Sequence, residues 1–265
     1  MEKIKELRDK TGAGIVDCKK ALEESGGDIE KAVEILRKKG ISKAAKRSER
    51  ETSEGVVKFA VNDTNTEGYM VKIGSETDFV ARNEKFQSFG DDVLKVIAEN
   101  TPESLDDLFA LKMKELTVKD TLDTMSGVIG EKLEIVDFKV LKSSGSVEGY
   151  SHMDGRICVL VSLDKSGETE LARDIAMHIA ASDPKYMSPE EVPAEELEKE
   201  KGVYREQLLK EGKPEAMLDK IIEGKINKYY EEVCLLKQEF IKDDKKKVEQ
   251  ILGDAKIEKF TRLAL

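Results

Sequence analysis

The chain has 265 residues, enough to bury sizeable cores and to divide into more than one domain. Charged residues make up 38% of it, Trp is absent, and no apolar run approaches the ~20 residues that span a bilayer, so no membrane segment is expected. The net charge of −10 opposes binding of a polyanion over the whole surface, which needs many Lys or Arg against phosphates; a protein is the first partner to expect.

Met1-Glu2-Lys3-Ile4 leads straight into an amphipathic pattern, with no apolar h-region or cleavage site, so the expected compartment is the cytoplasm. A first helix is predicted over residues 4–10, stopping at Thr11-Gly12-Ala13-Gly14, where glycine takes turn conformations that a Cβ resists. A second helix starts near Ile15 and ends at Gly26-Gly27. Asp28 is the predicted N-cap of a third, which carries Ile29, Ala32, Val33 and Leu36 on one face and is expected to close at Gly40 as a C-cap. This layout is similar to ubiquitin-associated domains, a resemblance of fold that does not imply ubiquitin binding. Arg37, Lys38, Lys39, Lys43, Lys46, Arg47 and Arg50 cluster around the following segment; contact with RNA is one reading and a solvated, partly helical linker is the favoured one.

Residues 56–61, a polar turn ending at Gly68, residues 69–73 and a helix beginning near Arg82 form a hairpin-plus-helix unit, with Phe86, Phe89, Val93, Val96 and Ile97 at helical spacing. Residues 109–128 read as one helix, and 133–141 as a strand added to the first sheet. A degenerate second copy follows: strand 147–152, a turn at Met153-Asp154-Gly155, strand 156–163, and helix 170–182 with Leu171, Ile175 and Ile179 on its face. Residues 233–236, a short helix with Val248, Ile251 and Leu252, and a strand over 257–263 are expected to complete the second sheet. Between lie two helical arms reversed at Gly212-Lys213-Pro214, each about 25 Å long at 1.5 Å rise per residue.

The predicted class is α+β: an N-terminal three-helix ubiquitin-associated-like module, two related antiparallel core subdomains, and an inserted antiparallel helical hairpin of coiled-coil type. The expected boundaries are 1–40 for the module, 41–54 for the basic linker, 55–141 for the first core subdomain, 142–183 with 231–265 for the second, and 184–230 for the insertion.

No GxxxxGK[ST] loop is present, and glycines 12 and 14 do not follow a strand, so direct nucleotide binding is not expected. Cys18, Cys158 and Cys234 lie far apart on apolar stretches and read as buried free thiols; neither they nor His152 and His178 have metal-ligand spacing. Nothing nominates an acid, a base, a nucleophile or a cofactor, so no enzyme is expected. The informative stretch is Thr77-Asp78-Phe79-Val80-Ala81-Arg82-Asn83, which sets a carboxylate beside an aromatic in a loop held at both ends. The alternative makes Asp78 an N-cap and Phe79 the first apolar residue of the helix face.

The block from Leu7 to Leu22, Gly27-Asp28-Ile29-Glu30-Lys31-Ala32-Val33, Lys39-Gly40, the Thr77 to Ala81 loop, Tyr150-Ser151-His152 with Arg156-Ile157, the run from Ile175 to Ala181, and Gly212-Lys213-Pro214 follow one another along nearly the whole chain. In that order they resemble the bacterial elongation factor Ts family. The resemblance implies a guanine nucleotide exchange factor that binds elongation factor Tu and promotes GDP release, so that GTP can follow. It assigns Thr77, Asp78, Phe79 and Val80 to disturbing the partner's Mg2+ and phosphate site. It assigns Leu7, Ile15 and Val16 to contact with the partner's G domain, although all three also read as the module's own core, and His152 to contact with the partner's third domain. Some members continue past the final strand into a further helical module, where this sequence stops at Leu265. The runner-up function is a non-catalytic adaptor that binds a ribosomal or RNA partner through the helical module and basic linker. Nucleic acid is not the expected main partner, and the oligomeric state is left open, a homodimer included.

Overall fold

A computed structural model describes residues 1–265. It begins with three helices, α1 (Glu2–Thr11), α2 (Ile15–Glu24) and α3 (Ile29–Ala45). Gly12, at φ 70°, ends α1 with its N–H on the Arg8 carbonyl, and the Asp28 carboxylate caps α3 by accepting the Lys31 N–H at 3.1 Å. Leu7, Cys18, Ala21 and Ala32 form a small core between the helices.

The first sheet has the order β1 (Glu54–Val61), β2 (Glu67–Ser75), β5 (Leu133–Lys142), all antiparallel. Between β2 and β5 come α4 (Asp78–Ala81), α5 (Glu84–Asn100), α6 (Leu105–Ala110), the short strands β3 (Lys112–Met113) and β4 (Leu116–Thr117), and α7 (Val118–Ile129). Phe86, Phe89, Val93 and Ile97 of α5 pack on Val71, Ile73 and Ile135 of the sheet, as their helical spacing predicts. A single helix over 109–128 does not form. Lys114 takes φ 64° in the turn of the β3–β4 hairpin, and Thr117 restarts the helix by accepting the Asp120 N–H at 3.0 Å. Neither Gly nor Pro marks that turn, so apolar spacing reads straight through it.

The second sheet has the order β10 (Ile257–Ala264), β7 (Ile157–Leu163), β6 (Ser146–His152), covered by α8 (Thr169–Ser182). The two sheets share a core in which Val57, Met70 and Leu141 meet Val147, Cys158 and Leu160. The class is therefore mixed helix and antiparallel sheet behind an N-terminal helical region. Residues 233–236 are not a strand. Val233 ends a helix, Cys234 makes one bridge to Tyr186, and Leu235–Lys237 is a 3-10 turn leading to β8 (Glu239–Phe240), β9 (Asp243–Lys247) and α11 (Val248–Ile251). A short buried apolar run has the same pattern in a strand and in a buried turn.

Helices α9 (Ala194–Lys210) and α10 (Glu215–Val233) run antiparallel, with Leu208 packed on Leu218, Ile222 and Ile226, and Arg205 paired to Asp219 at 2.8 Å. At the base of this arm, the Tyr186 and Tyr229 hydroxyls both donate to Glu196.

Gly40 does not end α3. The helix runs on to Ala45 and crosses α7, where a Cβ on Gly127 would stand 2.3 Å from the Gly40 Cα. A glycine among basic residues has the same appearance as a C-cap and as a helix crossing, and only the partner helix separates the two. Arg37 pairs with Asp120, and Arg47 Nη1 donates to the Ser126 carbonyl at 3.3 Å. The three helices have a core of their own and also lean on α7.

His178 lies fully buried in α8, Nε2 to Gln238 Oε1 at 2.9 Å and Nδ1 accepting the Ile241 N–H at 3.3 Å. Gln238 Nε2 donates to the Glu232 carbonyl at 2.7 Å, which ties the arm's base to α8. Burial pushes the imidazole below its ordinary value, partly opposed by the Gln238 hydrogen bond. A depressed folded value means that the unfolded chain binds the extra proton first. The stabilising contribution is complete above about pH 6.5 and is lost as pH falls toward the folded value. The denaturation midpoint should therefore drop between about pH 7.5 and about pH 5, and His178→Gln should flatten that slope; an equal slope in both proteins would contradict the assignment.

Candidate functional site

Strand β2 ends at Ser75, and the chain turns at once into α4. Thr77, not Asp78, is the N-cap: its hydroxyl oxygen accepts the Val80 N–H at 3.4 Å. Asp78 is the first helical residue and pairs with Arg82 at 3.3 Å. Ala81 is buried and Val80 packs on the first core, so the inner side of this single turn is anchored while Phe79 is 84% exposed. Asn83 then caps α5, accepting the Lys85 N–H at 3.0 Å. The bland alternative fails on both residues, since Asp78 caps nothing and Phe79 joins no core. Phe79 is the one aromatic among the exposed large hydrophobic residues of the chain.

Two carboxylates that sequence inspection missed hold the turn. Glu131 accepts the Thr77 N–H at 3.0 Å and the Thr77 hydroxyl at 2.7 Å. Glu76 accepts the Lys132 N–H at 2.5 Å and pairs with Arg50 at 3.1 Å; these two contacts hold its carboxyl below the ordinary value. More than fifty residues separate Thr77 from Glu131 and Glu76 from Lys132, and no local spacing announces these contacts.

The remaining candidates divide. Ile15 and Val16, at the start of α2, are 58% and 65% exposed and face outward. Leu7 is fully buried, so it belongs to the helical core and offers no contact surface. His152 ends β6 beside the turn Met153-Asp154-Gly155, its Nδ1 3.3 Å from the Tyr150 hydroxyl. Met153, also missed, is 60% exposed next to it. The Gly155 carbonyl accepts the Val57 N–H at 2.7 Å, and Arg156 pairs with Glu54 at 2.8 Å. Glu54 is in turn the β1 residue opposite Ser75, so the sheet register brings the His152 turn and the Asp78-Phe79 turn to the same end of β1.

A cleft of about 370 Å³ lies between the helical region and α7, and four of the charges on its walls pair with one another, Lys10 with Glu30 at 3.3 Å and Lys43 with Asp17 at 3.2 Å. The basic segment behaves likewise: Arg37, Lys39, Lys43, Arg47 and Arg50 all contact acceptors of the chain itself. No group of three or more His, Cys, Asp or Glu is placed to hold a metal ion, and no helix is long and apolar enough to cross a membrane.

The family described as Elongation factor TS matches residues 76–265, a span that opens on the residue before Thr77. The elongation factor Ts of Prosthecochloris aestuarii is 45% identical over 259 residues, covering 95% of this chain and 90% of the relative. The chain belongs to the elongation factor Ts family. Elongation factor Ts of Chlorobaculum parvum is 47% identical over the same shares of both chains, and that of Halothermothrix orenii is 41% identical across 100% of this chain and 91% of its own length.

Proposed function

We propose that this chain is a guanine nucleotide exchange factor that acts on elongation factor Tu, with the turn at Asp78 and Phe79 entering the partner's G domain near its Mg2+ and phosphate site. The observation that carries the reading is Phe79, almost fully exposed on an anchored turn in a member of the elongation factor Ts family. Phe79 fills an apolar pocket and wedges packed helices apart, while Asp78 brings a carboxylate to where the Mg2+ shell and phosphate contacts are organised. Thr77 and Val80 orient the pair. No bond is made or broken in the partner; its nucleotide is simply held less well.

Ile15 and Val16 on one side, and His152 with Met153 on the other, supply the contacts that make the grip two-pointed in this reading. The three helices are the docking module, of ubiquitin-associated-like layout, and the two sheet units are related core subdomains. The arm is a coiled-coil-like insertion. An adaptor that uses the basic segment for RNA finds no support here, because most of that segment's cations are engaged within the chain.

Linkage makes the reading testable. A factor that weakens GDP binding is itself weakened by GDP to the same extent, typically by ~1–3 kcal/mol. The complex with elongation factor Tu should be tight without nucleotide and loosen about five- to 150-fold on adding GDP, measured by titration calorimetry or gel filtration. Affinity independent of GDP would sink the proposal.

A further inference from the structure

We infer that Glu131 is a positioning residue for exchange, acting through Thr77 to aim Asp78 and Phe79; this rests on the function proposed above. The two chain crossings at this point are reciprocal. Residue 77 contacts residue 131 and residue 76 contacts residue 132, with the Glu131 carboxylate accepting both donors of Thr77 and the Glu76 carboxylate accepting the Lys132 N–H. Thr77 is the cap that starts α4, so whatever fixes its φ and ψ fixes the direction in which the next two side chains leave the backbone. Charge-assisted hydrogen bonds of 2.7 and 3.0 Å to one side chain leave it little freedom.

Glu131 is itself held. It follows Gly130, whose φ of 92° ends α7, and its carbonyl accepts the Ser126 hydroxyl at 2.5 Å. The Ser126 carbonyl in turn accepts Arg47, from the segment just after α3, and Arg50 of the same segment pairs with Glu76. The support of the Phe79 turn is thus continuous with the helix that carries the N-terminal region. A wedge needs such backing, because a reacting or contacting group displaced by about 1 Å can lose on the order of a hundredfold in rate. The Glu131 carboxylate is spent on Thr77 and contributes nothing to the hydrophobic core, which separates aiming from folding.

The test uses the full chain, elongation factor Tu loaded with labelled GDP, and three proteins: parent, Glu131→Ala and Glu131→Gln. Glu131→Ala should lower the maximal release rate about tenfold, with the concentration for half-maximal rate changed by less than about twofold, since docking surfaces remain. Glu131→Gln keeps an acceptor for Thr77 and should recover most of the rate. Amide hydrogen exchange should rise at residues 77–83 in the Ala variant while α8 and the second sheet stay protected. A parent that fails to release GDP overturns the function and this role together. With an active parent, three results overturn the positioning role alone: an unchanged rate for Glu131→Ala, a Gln variant no better than Ala, or exchange that rises across the whole molecule.

Discussion

Phe79→Ala should slow the GDP release stimulated by this chain on the order of thirtyfold, the loss typical of a ~2 kcal/mol aromatic hot spot, and should leave folding almost untouched. The two halves of that expectation come from one number, the 84% exposure of the ring. A core phenylalanine such as Phe86, fully buried beneath the first sheet, would lose ~3–5 kcal/mol of stability on truncation, whereas a solvent-facing side chain costs within about 0.5 kcal/mol. Asp78→Asn separates charge from shape. Its only internal partner is Arg82, an exposed pair one helical turn away, so its removal costs the fold little. If disturbance of the Mg2+ site dominates, Asp78→Asn slows release as strongly as Phe79→Ala; if the wedge dominates, it slows release far less. Denaturant unfolding of each variant is the companion measurement.

Gly127→Ala should destabilise the chain by about 1–3 kcal/mol and loosen the N-terminal helices, against what helix propensity alone would give. Propensity favours Ala over Gly inside a helix by roughly 1 kcal/mol. The new Cβ, however, would stand 2.3 Å from the Gly40 Cα and 2.8 Å from its carbonyl carbon and oxygen, which α3 can relieve only by moving away. The reciprocal Gly40→Ala is milder, its Cβ meeting nothing nearer than 3.6 Å, and Gly224→Ala on the arm meets nothing within 4 Å and should stabilise by up to ~1 kcal/mol. Equal effects of Gly127→Ala and Gly224→Ala in denaturant unfolding would mean that the crossing is not close packed.

Strand hairpins and the α5 face are legible because each is local: apolar periods of two and of 3.6 need only neighbouring residues. Asp28 is legible for the same reason, being a cap three residues from its donor. Gly40 was not, because its partner Gly127 is distant in sequence and a crossing leaves no periodic mark. The 109–128 region misled because Lys114 adopts a left-handed conformation without glycine or asparagine to announce it. At the candidate site, the Thr77 to Val80 residues stood out by composition, but the exposure of Phe79, the burial of Leu7 and the grip of Glu131 are tertiary facts. The basic segment is a related case: composition favours a solvated, partly helical linker, and α3 does run on to Ala45, but the acidic partners of Lys39, Arg37 and Arg50 on α2, α7 and the Glu76 loop leave no local mark.

The most direct test of the central claim is displacement of labelled GDP from elongation factor Tu at fixed Mg2+, followed in stopped flow with increasing parent chain or with the double variant Asp78→Asn, Phe79→Ala. The expected result is release that rises with parent concentration to a plateau, and a double variant that remains folded by its denaturation midpoint yet gives little more than the spontaneous rate. A folded double variant that releases GDP as fast as the parent would contradict the account.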